Sequence, residues 1–163
     1  MAASDYVTDV QGLYVAYYGR WADVGGLEYW TNEVDQNNGN LDVIVNAFGN
    51  SEEYENTYSE FLDGTTITNA EGLVNALFQN MFGRDAEEAG LNFYVNQINE
   101  GEATLAEIAL DVYNGAQGTD ADTLNNKVAV AETVTDDLEA TGVDYGAIAD
   151  AQTLLSDVNE NVS

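Results

Sequence analysis

Apolar residues in this chain recur at helical spacing and then stop abruptly at glycines. Val10, Leu13, Tyr14 and Tyr17 fall at i, i+3, i+4 and i+7, as do Val74, Leu77, Phe78 and Met81, so each set predicts one apolar stripe on a helix. Gly19 and Gly83 close the two stripes, where a left-handed residue without a Cβ suits a helix end. The two stretches are copies. An offset of 64, from Leu13 to Leu77, pairs Arg20 with Arg84, Gly26 with Gly90, Leu27 with Leu91, Ile44 with Ile108 and Asn50 with Asn114 without a gap. The repeat predicts a duplicated multi-helix unit.

Within each copy a second helix follows the glycine. Asp23, and Asp85 or Glu87, lie where that helix begins, so that a carboxylate can accept its unpaired N–H groups. Gly26 and Gly90 fall in its first turns, where their recurrence predicts close helix–helix approach. Along the chain the pattern predicts helices from Asp5 to about Tyr18, Val24 to about Asn37, from Leu41, from Ser51, from Asn69 to Met81, over Leu91 to Ile98, and from Leu105 to about Asn114. The segment DGTTIT, from Asp63 to Thr68, reads as a connector. After Gly115 the copies diverge. Leu124, Val128, Ala131, Val134 and Leu138 then mark a long helix stopped at Gly142, and a short last helix carries Tyr145, Ile148, Ala149 and Leu155. Strand-type alternation is absent. The predicted fold is all-α: two pseudo-repeated units, residues 1–62 and 63–117, completed by a C-terminal segment, 118–163, in one compact domain.

Charge narrows the choice of partners. The 163 residues include 30 acidic and 3 basic side chains, for a net charge of −27, against the roughly 2–8 units usual for a small domain. Nucleic acid is disfavoured, because phosphate backbones would be repelled. The 45% hydrophobic content supports a packed interior. No residue run is long and apolar enough to insert in a membrane, and the first ten residues lack the basic and apolar regions of a cleaved secretory leader. With no cysteine and no histidine, thiolate and imidazole chemistry are unavailable, and a non-enzymatic protein is expected.

Several side chains are candidates for recognition. Trp21, in the turn between two helices, offers either an indole platform for a sugar face or a neighbouring subunit, or a lid folded over the helix pair. Tyr18 and Tyr29 lie off the core stripes and are expected to face outward. Arg20 and Arg84 can bind helix-end carbonyls or a carboxylate, or else a sugar or phosphate. Asp85, Glu87 and Glu88 form one acidic turn, and Asp120 with Asp122 another. Such turns either cap helices or hold calcium, which takes six to eight oxygen ligands, although no EF-hand or nonapeptide spacing is present.

The run Gly83-Arg84-Asp85, Glu88, Gly90-Leu91 and Tyr94, with NAFGNSEEY from Asn46 to Tyr54, resembles a helical domain of unknown function found in bacterial S-layer proteins and in secreted proteins with RTX-type calcium-binding repeats. The first copy departs from that pattern at Trp21 and Gly25. GTDADTLNNKVAVAETVTDDLEA, from Gly118 to Ala140, resembles the continuation of the same domain in S-layer-like proteins. The resemblance implies export by a C-terminal signal, an extracellular cell-surface location, self-association into a lattice, and anchoring to lipopolysaccharide or another envelope glycan with calcium. Two other readings stand beside it: a secreted adhesion or matrix module that binds another protein, and an intracellular scaffold resembling phycobilisome linkers.

Overall fold

The computed structural model describes residues 2–142 and 148–161. A short 3-10 turn, Ala3–Tyr6, leads into α1 (Val7–Tyr18), followed by α2 (Val24–Gln36), α3 (Asp42–Phe48) and α4 (Glu52–Thr57). The second unit supplies α5 (Ala70–Phe82), α6 (Glu88–Asn99) and α7 (Leu105–Gly115); α8 (Gly118–Thr141) and α9 (Ile148–Ser156) complete the chain. The fold is all-α, with a long C-terminal helix and a short last one. Of the predicted last stripe, Tyr145 and the side chains of Ile148 and Ala149 lie outside the described residues, while Leu155 is buried.

The connector DGTTIT departs from the purely helical reading. Leu62–Asp63 (β1) and Thr66–Ile67 (β2) pair antiparallel around a turn at Gly64. Two residues per strand leave no alternation for a sequence pattern to register.

Helix α1 is the axis of the molecule. Every residue from Val10 to Tyr18 is buried, so the helix is covered on all sides rather than along one stripe. It packs against α2, α5, α7 and α8. One hydrophobic core runs through both units, joining Leu13, Tyr17, Phe48, Leu77, Met81, Ile108 and Val128. Both first helices end as their glycines predict: Gly19 has φ 67° and Gly83 φ 69°, and their N–H groups donate to the carbonyls of Val15 and Gln79.

Caps anticipated from sequence are formed at α2, where Asp23 accepts from the Gly26 N–H, at α4, where Ser51 accepts from Tyr54, and at α5, where Asn69 accepts from Gly72. The glycine pair in the second helices is not equivalent. A Cβ on Gly26 would lie 2.5 Å from the Tyr14 hydroxyl, whereas one on Gly90 would meet nothing within 4 Å. Close approach therefore explains Gly26 and not Gly90.

Candidate functional site

The two arginines build the same device twice. Arg20 Nε and Nη2 donate to Glu53 at 2.6 and 2.8 Å, and Nη1 donates to the Trp21 carbonyl at 2.8 Å. Arg84 Nε and Nη2 donate to Asp120 at 3.0 and 2.6 Å, and Nη1 to the Asp85 carbonyl at 2.8 Å. Each guanidinium also lies over two aromatic rings of its own unit: Tyr14 and Tyr18 beneath Arg20, Phe78 and Phe82 beneath Arg84. A bidentate fork stacked on rings is the geometry that only arginine supplies. In each arginine Nε, Nη1 and Nη2 all donate to partners within the chain.

The acceptors correct the apparent end of the repeat. Glu53 follows Arg20 by 33 residues and sits in the first turn of α4, while Asp120 follows Arg84 by 36 and sits in the first turn of α8. The start of α8 is thus the fourth helix of the second unit, displaced by three residues and then extended. Asp120 and Asp122 lie within this helix rather than in a turn.

Polar side chains repeat the same logic inside. Gln11 accepts from the Ala22 N–H at 3.0 Å, and Asn75, 64 residues on, accepts from the Ala86 N–H at 3.0 Å. Gln11 also donates to Thr135 at 2.7 Å, and Thr135 donates to the Ala22 carbonyl at 2.7 Å. Thr135, not its neighbour Val134, takes the deep place in α8, since it satisfies groups that a valine could not. The last turn of α1 receives Tyr58, whose hydroxyl donates to the Tyr17 carbonyl. The last turn of α5 receives Lys127, only 1% exposed, whose Nζ donates to the Asn80 carbonyl at 3.0 Å. Burial lowers the Lys127 ammonium to about 8, because desolvation penalises the charge.

Burial alone would lower the Arg20 guanidinium, but the hydrogen bonds and charge of Glu53 outweigh it and leave it above its ordinary value. For Arg84 the hydrogen bonds it donates to Asp120 dominate and raise it. All three basic side chains of the protein are therefore committed to internal partners.

The acidic turn does not close on a metal. Among the described residues no group of three or more carboxylates is placed to hold an ion. Asp120 is held by Arg84, Asp85 accepts from Gln79 Nε2 at 2.8 Å, and Glu87 takes the N-cap position of α6 without a side-chain cap. Glu88 and Asp122 join no such group. Asp85 and Glu87 precede α6, Glu88 opens it, and Asp120 and Asp122 lie in α8, so these five carboxylates are not gathered into one group of three or more.

Of the aromatic candidates, Trp21 takes the second of its two readings, folded into the core, and Tyr18 departs from the outward position expected of it. Trp21 is 9% exposed and belongs to the core, beside Ala22, whose carbonyl accepts from Thr135 of α8. Tyr18 is 2% exposed; its hydroxyl shares a 2.6 Å hydrogen bond with Ser51, and its ring meets Phe48. Neither offers a platform. Tyr29 faces outward as its position implied, at 56% exposed. Phe93, missed in the sequence, is 57% exposed and lies 64 residues after Tyr29, so applying the offset to Tyr29 would have found it. Both rings are anchored edge-on by the next residue, Tyr29 against Trp30 and Phe93 against Tyr94. Each unit thus presents one exposed ring at the same position of its second helix.

Comparison with known families places residues 45–116 in a match to a model described as a domain of unknown function, DUF4214. The matched segment opens in α3, crosses the hairpin and ends with α7. It contains Arg84 and stops just short of its partner Asp120. Neither a curated protein nor a solved structure matches the chain.

Proposed function

We propose that the protein is a non-enzymatic, S-layer-like structural module of the cell surface, which associates with copies of itself and attaches to outer-membrane lipopolysaccharide or another envelope glycan. The observation that carries this reading is the pair of equivalent exposed rings, Tyr29 and Phe93, on helices whose other outward residues are polar apart from Gly25 and Ala89. Two copies of one weak contact on a rigid frame raise avidity without any new chemistry. An aromatic ring flanked by amides, Asn32 after Tyr29 and Asn96 after Phe93, suits a sugar face or a subunit contact.

Calcium enters as a bridge between molecules rather than as a resident ion. Every basic side chain already has a partner within the chain, and the net charge is −27; an anionic glycan therefore needs a divalent ion between the two surfaces.

Co-sedimentation with lipopolysaccharide-bearing vesicles, in calcium and in chelator, tests it. We expect calcium-dependent pelleting that falls on Tyr29→Ala or Phe93→Ala and is lost in the double variant. A protein that stays in the supernatant with and without vesicles, and remains monomeric, would overturn both anchoring and assembly and leave a module that binds another protein.

A further inference from the structure

A cleft of about 390 Å³ opens between the first unit's α3–α4 and the turn joining α6 to α7, a volume within the usual range of ligand pockets. Its walls combine hydrocarbon, from Val45, Ile98 and Leu105, and aromatic faces, from Tyr17 and Tyr54, whose rings stack 5.9 Å apart at 16°, with polar asparagine and threonine side chains between them. The one charged side chain lining it is Glu55. This carboxylate takes no part in the described ion pairs, which are Arg20 with Asp23 and Glu53, and Arg84 with Asp120.

The cleft is incomplete. Tyr17 lines it, is 98% buried, and has a hydroxyl with no hydrogen-bond partner, a state that native interiors rarely leave uncompensated. Aliphatic walls, aromatic faces and a lone carboxylate together make a receptor for a hydrocarbon chain that ends in a cation. A net charge of −27 concentrates cations at the surface and repels anions. The protein's own lysine does not fill the cleft, because Lys127 is buried against α5.

We propose that this cleft binds a primary alkylammonium group, the stem lying against the aliphatic and tyrosine walls and the charge meeting Glu55. Tyr17 gains its missing partner there. The same chemistry is carried by a free diamine and by the lysyl side chain of another protein. The inference is independent of the surface-anchoring reading.

Heteronuclear NMR titration of the intact chain at physiological ionic strength tests it, with cadaverine and Nα-acetyl-lysine methylamide as probes and pentanol as the uncharged control. Saturable shifts centred on Asn46, Tyr54 and Leu105 are expected with the amines and not with pentanol. Glu55→Gln should weaken binding roughly fivefold, and Tyr17→Phe should weaken it without loss of fold. Glu88→Gln, which removes an equal charge on α6, should leave it unchanged. Tighter binding of cadaverine assigns the site to free amines, and tighter binding of the lysine derivative assigns it to a partner's side chain. Absence of saturable shifts at the cleft, equal binding of pentanol, or equal weakening by Glu55→Gln and Glu88→Gln would overturn the proposal.

Discussion

The first unit closes its arginine clamp in the interior, and the second closes the same clamp at the surface. The Arg20 and Glu53 side chains are 12% and 23% exposed; those of Arg84 and Asp120 are 39% and 28%. Identical chemistry in two environments separates what the motif requires from what each context adds. The fork, the carbonyl and the ring pair recur in both units, so they belong to the motif. Burial belongs to the first unit alone, because α1 is surrounded by other helices whereas the end of α5 is more open to solvent. The repeat is a frame, and each copy leaves one ring, Tyr29 or Phe93, outside it.

Removing the arginines should make that difference largest. Arg20→Ala strands Glu53 in a desolvated site and should cost about 3 kcal/mol, whereas Arg84→Ala should cost about 1 kcal/mol. Chemical denaturation of both variants checks this, and equal losses would break the comparison.

The two helix ends should differ next in their response to pH. Tyr58 caps α1 as a neutral group, while Lys127 caps α5 as an ammonium held at about 8. An unfolded lysine releases its proton near 10.4, so between about pH 8 and 10 the unfolded chain binds more protons and unfolding free energy rises with pH. A gain on the order of 2 kcal/mol is expected across that window. Above pH 10 the sign reverses. Burial holds Tyr18 and Tyr113 up to about 12, so the unfolded chain loses tyrosine protons first and stability falls. Lys127→Met should abolish the rise, be near neutral or stabilising at pH 7, and keep the fall. Unfolding curves at intervals from pH 7 to 11 would show the peak.

Glycine replacements probe the second helices. Gly90→Ala fills open space in a helix and should stabilise by about 0.5–1 kcal/mol. Gly26→Ala pushes on the Tyr14 hydroxyl and should destabilise by about 1 kcal/mol. Opposite shifts in melting temperature are the expected signature. The smallest contrast is in the caps: Asp23→Ala should cost about 1 kcal/mol and Glu87→Ala close to none, because Asp23 accepts from Gly26 and Glu87 makes no such bond.

Much of this frame could be read from residues alone. The offset of 64, the left-handed Gly19 and Gly83, the caps at Asp23, Ser51 and Asn69, and the long helix ending at Gly142 all follow from local rules about periodicity and helix ends. What eluded those rules is tertiary. Trp21 was legible as a turn residue, but its burial is tertiary: Thr135 of α8, 113 residues beyond Ala22, bonds the turn beside it. Glu53 and Asp120 could not be matched as equivalents because three inserted residues break the register after Gly115. Gln11 and Thr135 look like polar interruptions in sequence, and only their meeting across α1 and α8 turns them into a satisfied buried pair. Phe93 was within reach, since it follows from Tyr29 by the same offset, yet a ring on a helix carries no local mark of facing outward.

The measurement that bears most directly on the duplicated clamp is a pair of double-mutant cycles, Arg20→Ala with Glu53→Ala and Arg84→Ala with Asp120→Ala, read by denaturant unfolding. The clamp account predicts favourable coupling in both cycles, larger in the buried pair by about 1 kcal/mol or more. Coupling in the first cycle with none in the second would contradict it, since α8 would then not be the fourth helix that closes the second unit.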